Sequence, residues 1–107
     1  MAKLKPPKHL SSAARKLWKE FMDEYDLSDT AGLTLLNLLT TAWDEAESLA
    51  DQVRREGTTI VNPASGAAHV HPALQQLKES RAVVLRCIRA LNLDVEPPGP
   101  VGRPGGR

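Results

Sequence analysis

Apolar residues recur every three to four positions in three stretches of the chain, and this spacing predicts three amphipathic helices. The first helix is predicted to begin at Ser11 or Ser12, since either hydroxyl can accept a hydrogen bond from a free amide of the first turn. The second is predicted from about Asp29 to Glu56, a stretch without proline that Gly57 ends. We therefore expect a mainly α fold built on a helical hairpin of one short and one long helix.

A short β-hairpin or loop is predicted to join the long helix to the third one. The β-branched run Thr58–Val61 is typical of a strand, and the turn-forming residues Asn62–Gly66 follow it. Residues 67–71 are then expected to return as the second strand. Pro72 suits the first turn of the third helix, because the amide that proline lacks would have no partner there. That helix is predicted to run to about Asn92.

The chain of 107 residues is the size of one small domain, and proline-containing segments flank its helical part. Residues 1–9 combine three lysines with two prolines and are expected to form a flexible basic arm. Residues 10–94 form the predicted helical core, which is expected to carry oligomerisation and DNA binding. Residues 97–107 contain four prolines and four glycines, so the segment 95–107 is predicted to be a disordered tail.

The apolar positions of the predicted long helix spread over a wider arc than two neighbouring helices can cover. One series steps by four and three residues like the seam of a coiled coil, a second repeats every seven residues, and Leu38 adds a third direction. Leaving several such side chains in water costs about 1.5–3 kcal/mol each relative to full burial. We therefore expect neighbouring copies to cover them in a homo-oligomer, either a closed ring or an open filament. The residues expected at that interface are Leu35, Leu36, Leu39, Trp43, Leu49 and Val53.

Charged residues are distributed unevenly, although the net charge is only +1. Residues 1–19 contain six bases and no acid, whereas residues 20–56 contain ten acids and two arginines. Clustered basic side chains bind a polyanion because the polyanion releases its counterions. The same asymmetry favours head-to-tail association of copies, with a basic end against an acidic middle. The side chains expected to contact the phosphates of a nucleic acid are Lys3, Lys5, Lys8, Arg15, Lys16 and Lys19.

A second candidate basic face lies on the predicted third helix, where four residues fall within a broad arc: Lys78, Arg81, Arg86 and Arg89. This face either binds DNA or pairs with acidic residues of the long helix, namely Asp44, Glu45, Glu47 and Asp51. Exposed ion pairs of the latter kind contribute little to stability. The sequence leaves both interpretations open.

Residue types that support catalysis are scarce. The one cysteine, Cys87, excludes an internal disulfide and a multi-cysteine zinc site, and it is expected to be a structural thiol. His69 and His71 would face the same side of a strand, but no second pair of ligands completes a metal site. No glycine-rich phosphate loop is present, so we expect no enzymatic activity, no metal and no cofactor. The sequence also lacks an apolar run of about 18 residues, so we expect no membrane partner.

Several segments resemble one branch of the small subunits of bacteriophage terminases. Leu10–Trp18 is similar to the opening motif of that branch, and Asp29–Gly57 is similar to its long central helix. Thr58–Pro63 resembles its short hairpin, and the motif His71-Pro72-Ala73-Leu74 resembles the start of its last helix. The resemblance covers about residues 10–94, which is most of the chain.

The resemblance implies a non-catalytic part of the motor that packages a phage genome. Subunits of this family assemble as rings, bind double-stranded viral DNA and present it to the large terminase subunit, which carries the ATPase and nuclease. We accordingly expect this chain to act in the host cell cytoplasm as a ring-shaped homo-oligomer that recruits or regulates the large subunit.

Two other classes of function remain open at this point. A helical adaptor would bind only protein, with its acidic middle meeting a basic partner, and would lack the steep salt dependence of DNA binding. A small metal-dependent enzyme would rely on His69 and His71, and analysis of the purified protein for metal would detect it.

Overall fold

The computed structural model describes residues 4–92, which form three helices and one two-stranded sheet. The elements are α1 (Ser12–Glu24), α2 (Thr30–Glu56), β1 (Thr59–Val61), β2 (Ala68–Val70) and α3 (Ala73–Leu91). The predicted fold class is therefore confirmed: a short and a long helix, a β-hairpin and a third helix. The tail predicted over residues 95–107 lies outside the described residues.

The ends of the first two helices are set by local capping interactions. The Ser11 hydroxyl accepts a hydrogen bond from the Ala14 amide at 3.1 Å, and the Asp29 carboxylate accepts one from the Gly32 amide at 3.0 Å. Each of these side chains satisfies a first-turn donor that has no partner within the helix. Gly57 ends α2 with a φ of 86°, a conformation that a side chain would strain.

The β-hairpin is antiparallel and is exposed to solvent along most of its length. Ile60 pairs with His69, and Ile60 is its half-buried residue. Between the strands, the Ala64 amide donates to the Asn62 side-chain oxygen at 2.8 Å, and Gly66 adopts a φ of 76°. Asn62 and Gly66 therefore form the turn that the sequence predicts.

One core cluster joins α1 to the first half of α2. Buried Leu10, Ala14 and Trp18 pack here with Leu27 and Leu36. The chain crosses from α1 to α2 within a few residues, so α1 lies back along α2 and the two helices share one apolar interface. This packing buries the apolar face of α1 that the sequence predicts.

Hydrogen bonds reinforce the contact between α1 and α2 along its length. The Trp18 indole N–H donates to the Asn37 side-chain oxygen at 2.8 Å. Further along, the amide and hydroxyl of Ser11 donate to the two carboxylate oxygens of Asp44 at 2.8 and 2.7 Å. The start of α1 is therefore fixed at the middle of α2, and its later part lies against the first half of α2.

A second core cluster joins α2 to α3. Ala46 and Ala50 of α2 contact Leu77 of α3, with Leu49 beside them. Small residues on α2 allow the two helices to approach closely at this point. Leu91, at the other end of α3, packs against the first cluster, so α3 runs antiparallel to α2 and lies along most of it.

The burial of the long helix corrects part of the expected interface between copies. Leu36 is 0% exposed and Leu39 is 1% exposed. Both side chains belong to the core of the chain itself, contrary to the expectation that they contact a second copy. The other residues expected at the interface are partly exposed, and they are Leu35, Trp43, Leu49 and Val53.

We predict that Gly32→Ala destabilises the protein, although alanine has the higher helix propensity by about 1 kcal/mol. A Cβ atom at this position would lie 2.5 Å from Asp29 Oδ1 and 3.0 Å from the backbone of Leu27. We expect the free energy of unfolding in urea to fall by about 1–3 kcal/mol. The control Thr34→Ala, at an exposed position of the same helix, should change it by much less. Equal or greater stability of Gly32→Ala would contradict the close approach of the α1–α2 connection.

Candidate nucleic-acid interface

A groove of about 750 Å³ lies between α1 and the segment that precedes it. We call it the basic groove, because four of its lining residues are cations: Lys5, Lys8, Arg15 and Lys19. The remaining lining residues are Leu4, Pro6, Trp18, Met22 and Asp23. The structure therefore brings together four of the six basic residues that the sequence assigns to DNA binding.

The four cations come from two different elements. Arg15 and Lys19 lie one helical turn apart on the exposed side of α1, and Lys5 and Lys8 belong to the preceding segment. The Arg15 Nε donates to the Leu10 carbonyl oxygen at 3.0 Å, which fixes the base of its guanidinium group. Within residues 4–92, none of the four lies within 4.0 Å of a carboxylate oxygen. The acids of the described residues therefore leave these four charges unpaired.

The preceding segment is attached to the helices at its end. The His9 Nε2 lies 2.8 Å from the Thr41 hydroxyl of α2, and the Leu10 amide donates to the Pro7 carbonyl at 3.4 Å. His9 therefore attaches the preceding segment to α2. The flexibility expected of residues 1–9 stays a prediction.

Two of the predicted DNA contacts lie elsewhere. Lys16 is exposed on α1 but does not line the basic groove, since each residue rotates about 100° around a helix relative to the one before it. Lys3 lies outside the described residues. Trp18 lines the groove, but it is buried and its indole N–H is bonded to Asn37. The indole ring is therefore committed to the core, which favours contact with phosphates over stacking on bases.

The apolar side of the basic groove was not predicted from the sequence. Leu4, Pro6 and Met22 contribute to the lining together with Trp18. Two sequence patterns could have indicated it: Leu4 and Pro6 alternate with lysines, and Met22 follows Trp18 by one helical turn. Neither signal indicates a groove unless the path of residues 4–9 is known, and that path depends on contacts distant in sequence.

The second candidate basic face is exposed along α3, and the structure of residues 4–92 does not show the alternative interpretation, in which these bases pair with acids of α2. Within residues 4–92, none of these four bases lies within 4.0 Å of a carboxylate oxygen. Asp44 accepts hydrogen bonds from Ser11 instead, and Asp51 pairs with Arg54 on its own helix. The bases concerned are Lys78, Arg81, Arg86 and Arg89, whose binding of DNA stays a prediction.

The two histidines considered as metal ligands occupy different environments. His69 is exposed on β2, whereas His71 is only 4% exposed at the start of α3. The His71 Nε2 lies 2.6 Å from Glu56 Oε1, and its Nδ1 accepts a hydrogen bond from the Ala73 amide at 3.0 Å. A neutral ring with its proton on Nε2 satisfies both contacts. Residues 4–92 contain no group of three or more side chains able to hold a metal ion.

His71 therefore joins three elements: the end of α2, the end of β2 and the start of α3. Its ring nitrogen takes the place of a side-chain cap for α3, whose N-cap residue, Pro72, makes no such bond. The hydrogen bond from His71 also lowers the pKa of the Glu56 carboxyl below its ordinary value of 4.5. This bond network supports a structural role for His71.

Cys87 is buried on the inner face of α3. Removal from water raises the pKa of its thiol, and the positive charge of Arg86 opposes that effect. A buried thiol with a raised pKa is a poor nucleophile at neutral pH. Its environment fits the structural role expected from the sequence.

Comparisons of the chain with models of known protein families, with curated proteins and with solved structures find no match. Among the described helices, none is long and apolar enough to cross a bilayer. The functional assignment therefore depends on the geometry of the basic groove and on the sequence motifs.

We predict that Glu56→Gln lowers stability at pH 7 but has less effect at pH 3. The pKa of Glu56 is lower in the folded than in the unfolded protein, so the ionised carboxyl stabilises the fold above about pH 4.5, and this stability is lost as the pH falls through the folded pKa. The unchanged protein and Glu56→Gln both keep His71. The difference between their free energies of unfolding in urea therefore measures the contribution of the Glu56 carboxyl. The control Glu47→Gln removes an exposed acid of α2. The same pH response from both variants would contradict a stabilising His71–Glu56 bond.

Proposed function

We propose that this protein is a non-catalytic DNA-binding subunit of a viral genome-packaging terminase. In this role the small subunit binds double-stranded viral DNA as a ring-shaped homo-oligomer and recruits or regulates the large subunit in the host cell cytoplasm. Two independent features support the proposal: the cations around the basic groove and the resemblance of residues 10–94 to terminase small subunits.

The convergence of four cations on one groove is the observation that carries the proposal. Lys5, Lys8, Arg15 and Lys19 come from two elements and surround a single open surface. Double-stranded DNA carries one negative charge per about 1.7 Å of its axis, so it can meet several of these cations at once. Contacts of this kind fix the position of the protein on DNA without reading the sequence of bases.

A ring is supported by the apolar surface that α1 and α3 leave open. Leu38 is exposed at 52%, and Leu35, Trp43 and Leu49 are only partly covered. Together these side chains form apolar surface on one helix, and a contiguous apolar patch is typical of a surface for association. Additional copies of the chain are the occupant that the family resemblance favours.

The apolar part of the basic groove favours one alternative function. Leu4, Pro6 and Met22 lie beside the cations, and a groove of this mixed character also fits an acidic amphipathic segment of another protein. The protein would then be a helical adaptor that does not bind DNA. Salt dependence distinguishes the two, because the release of many counterions is a property of nucleic acid.

We predict that the double variant Lys8→Gln/Lys19→Gln binds double-stranded DNA more weakly and with a smaller salt dependence. Each lost phosphate contact should lower the slope of log K against log salt by about 0.9. The loss should be similar on unrelated DNA sequences, because phosphate contacts carry no base information. Fluorescence anisotropy with labelled duplexes between 50 and about 200 mM salt measures both quantities.

The matched control for this measurement is Lys78→Gln/Arg86→Gln, which removes the same charge from the exposed face of α3. We expect the control to keep most of the affinity of the unchanged protein. A greater loss in the control would move the DNA site to α3. Binding that is absent in the unchanged protein at low salt would favour the adaptor.

We predict that the purified protein has the mass of several chains at micromolar concentration. Native mass spectrometry and light scattering measure this directly. A folded monomer that unfolds cooperatively would contradict the ring, whatever the outcome of the DNA measurements.

A further inference from the structure

A second groove, of about 680 Å³, runs between α2 and α3 on a different side of the molecule. We call it the acidic groove, because its charged lining residues, Glu45 of α2 and Glu79 of α3, are both acids. Leu38, Leu49 and Val83 supply its large apolar residues. Leu38 is 52% exposed, so the groove contains a large apolar side chain that the chain itself leaves half uncovered.

The outer face of α3 has the complementary character. Leu85 is 55% exposed, and Arg81 and Arg89 lie one turn before and one turn after it. Residues four apart lie on the same side of a helix, so the exposed leucine stands between two cations. We call this surface the α3 ridge. Within residues 4–92, neither arginine pairs with an acid.

We propose that the α3 ridge of one copy docks in the acidic groove of the next copy. Leu85 would contact Leu38 and the other apolar residues that line the groove. Arg81 and Arg89 would lie near Glu45 and Glu79. A helix that places its apolar residue in a hydrophobic groove between two others is a recurring mode of recognition. Opposite charges at the rim favour this pairing over ridge against ridge or groove against groove.

The pairing is head to tail because the ridge and the groove are different surfaces of the same chain. Each copy offers one of each, so every added copy leaves one ridge and one groove free until the assembly closes. This inference deepens the self-association within the proposed function by naming its surfaces. It also assigns Arg81 and Arg89 to a neighbouring copy, which leaves the basic groove as the DNA surface.

Two single variants test the surfaces separately. Leu38→Asp places a charge in the groove and leaves the ridge intact, whereas Leu85→Asp does the reverse. Both positions are exposed, so circular dichroism should show an unchanged helical content. We expect each variant alone to associate about ten- to hundredfold more weakly and to be a monomer at micromolar concentration by native mass spectrometry.

Mixing these two variants tests the direction of assembly. The intact ridge of Leu38→Asp can dock in the intact groove of Leu85→Asp, but the remaining ridge and groove are both defective. We therefore expect an equimolar mixture to form a dimer and to stop there, while the unchanged protein forms a larger assembly. Variants that keep the mass of the unchanged protein, or a mixture that stays monomeric, would overturn the proposal.

A charge exchange tests the polar part of the contact. We expect Glu45→Lys/Glu79→Lys alone and Arg81→Glu/Arg89→Glu alone to be monomeric, because each brings like charges together. In an equimolar mixture every ridge can find a groove of opposite charge, so the mass should return to about that of the unchanged assembly. Failure to recover in the mixture would overturn the assigned charge pairs.

The outcomes separate this inference from the proposed function. An unchanged protein that is oligomeric, with single variants that are oligomeric too, leaves the ring standing and rejects these surfaces. A monomeric unchanged protein rejects both the ring and the surfaces. If Leu85→Asp keeps the full mass but loses DNA affinity, the ridge is a DNA surface and the proposal is wrong.

Discussion

The length of α2 is the constraint on which the rest of the structure depends. Its 27 residues extend about 40 Å, whereas α1 has 13 residues and α3 has 19, or about 20 and 28 Å. The two shorter helices lie on different sides of α2, and each forms a core cluster with it. Leu38 lies on the part of α2 that neither helix covers, so the groove between α2 and α3 follows from how these lengths are arranged.

The positions of the elements could be predicted from the sequence because the signals that set them are local. Ser11, Asp29 and Gly57 act through hydrogen bonds and backbone conformations that involve only a few neighbouring residues. The direction of each apolar side chain could not be predicted in the same way. Leu38 and Leu39 are adjacent and equally apolar, yet one is exposed and the other is buried, because the difference depends on where the other helices lie.

The four cations of the candidate site were predicted from the sequence, but its apolar side and its shape were not. The block of bases at the start of the sequence identified the cations, but their convergence depends on bonds that are distant in sequence, such as His9 to Thr41. The ion pairs between α3 and α2, which the sequence left as one of two interpretations, show the same limit. Charge patterns carry no distances, and Asp44, one of the acids considered as a partner of these bases, is bonded to Ser11.

Thr41 lies between the acidic groove and the segment that precedes α1. Its hydroxyl lies 2.8 Å from the His9 Nε2 at the end of the segment that carries Lys5 and Lys8, and the same residue lines the groove between α2 and α3. A ligand that displaces the segment must break or move this bond, and a ligand in the other groove contacts its far side. A ligand that changes the position of Thr41 from one side therefore changes the bond on its other side, and any coupling of this kind is reciprocal. If a ligand in one groove changes the binding free energy of a ligand in the other, the second ligand changes the binding free energy of the first by the same amount.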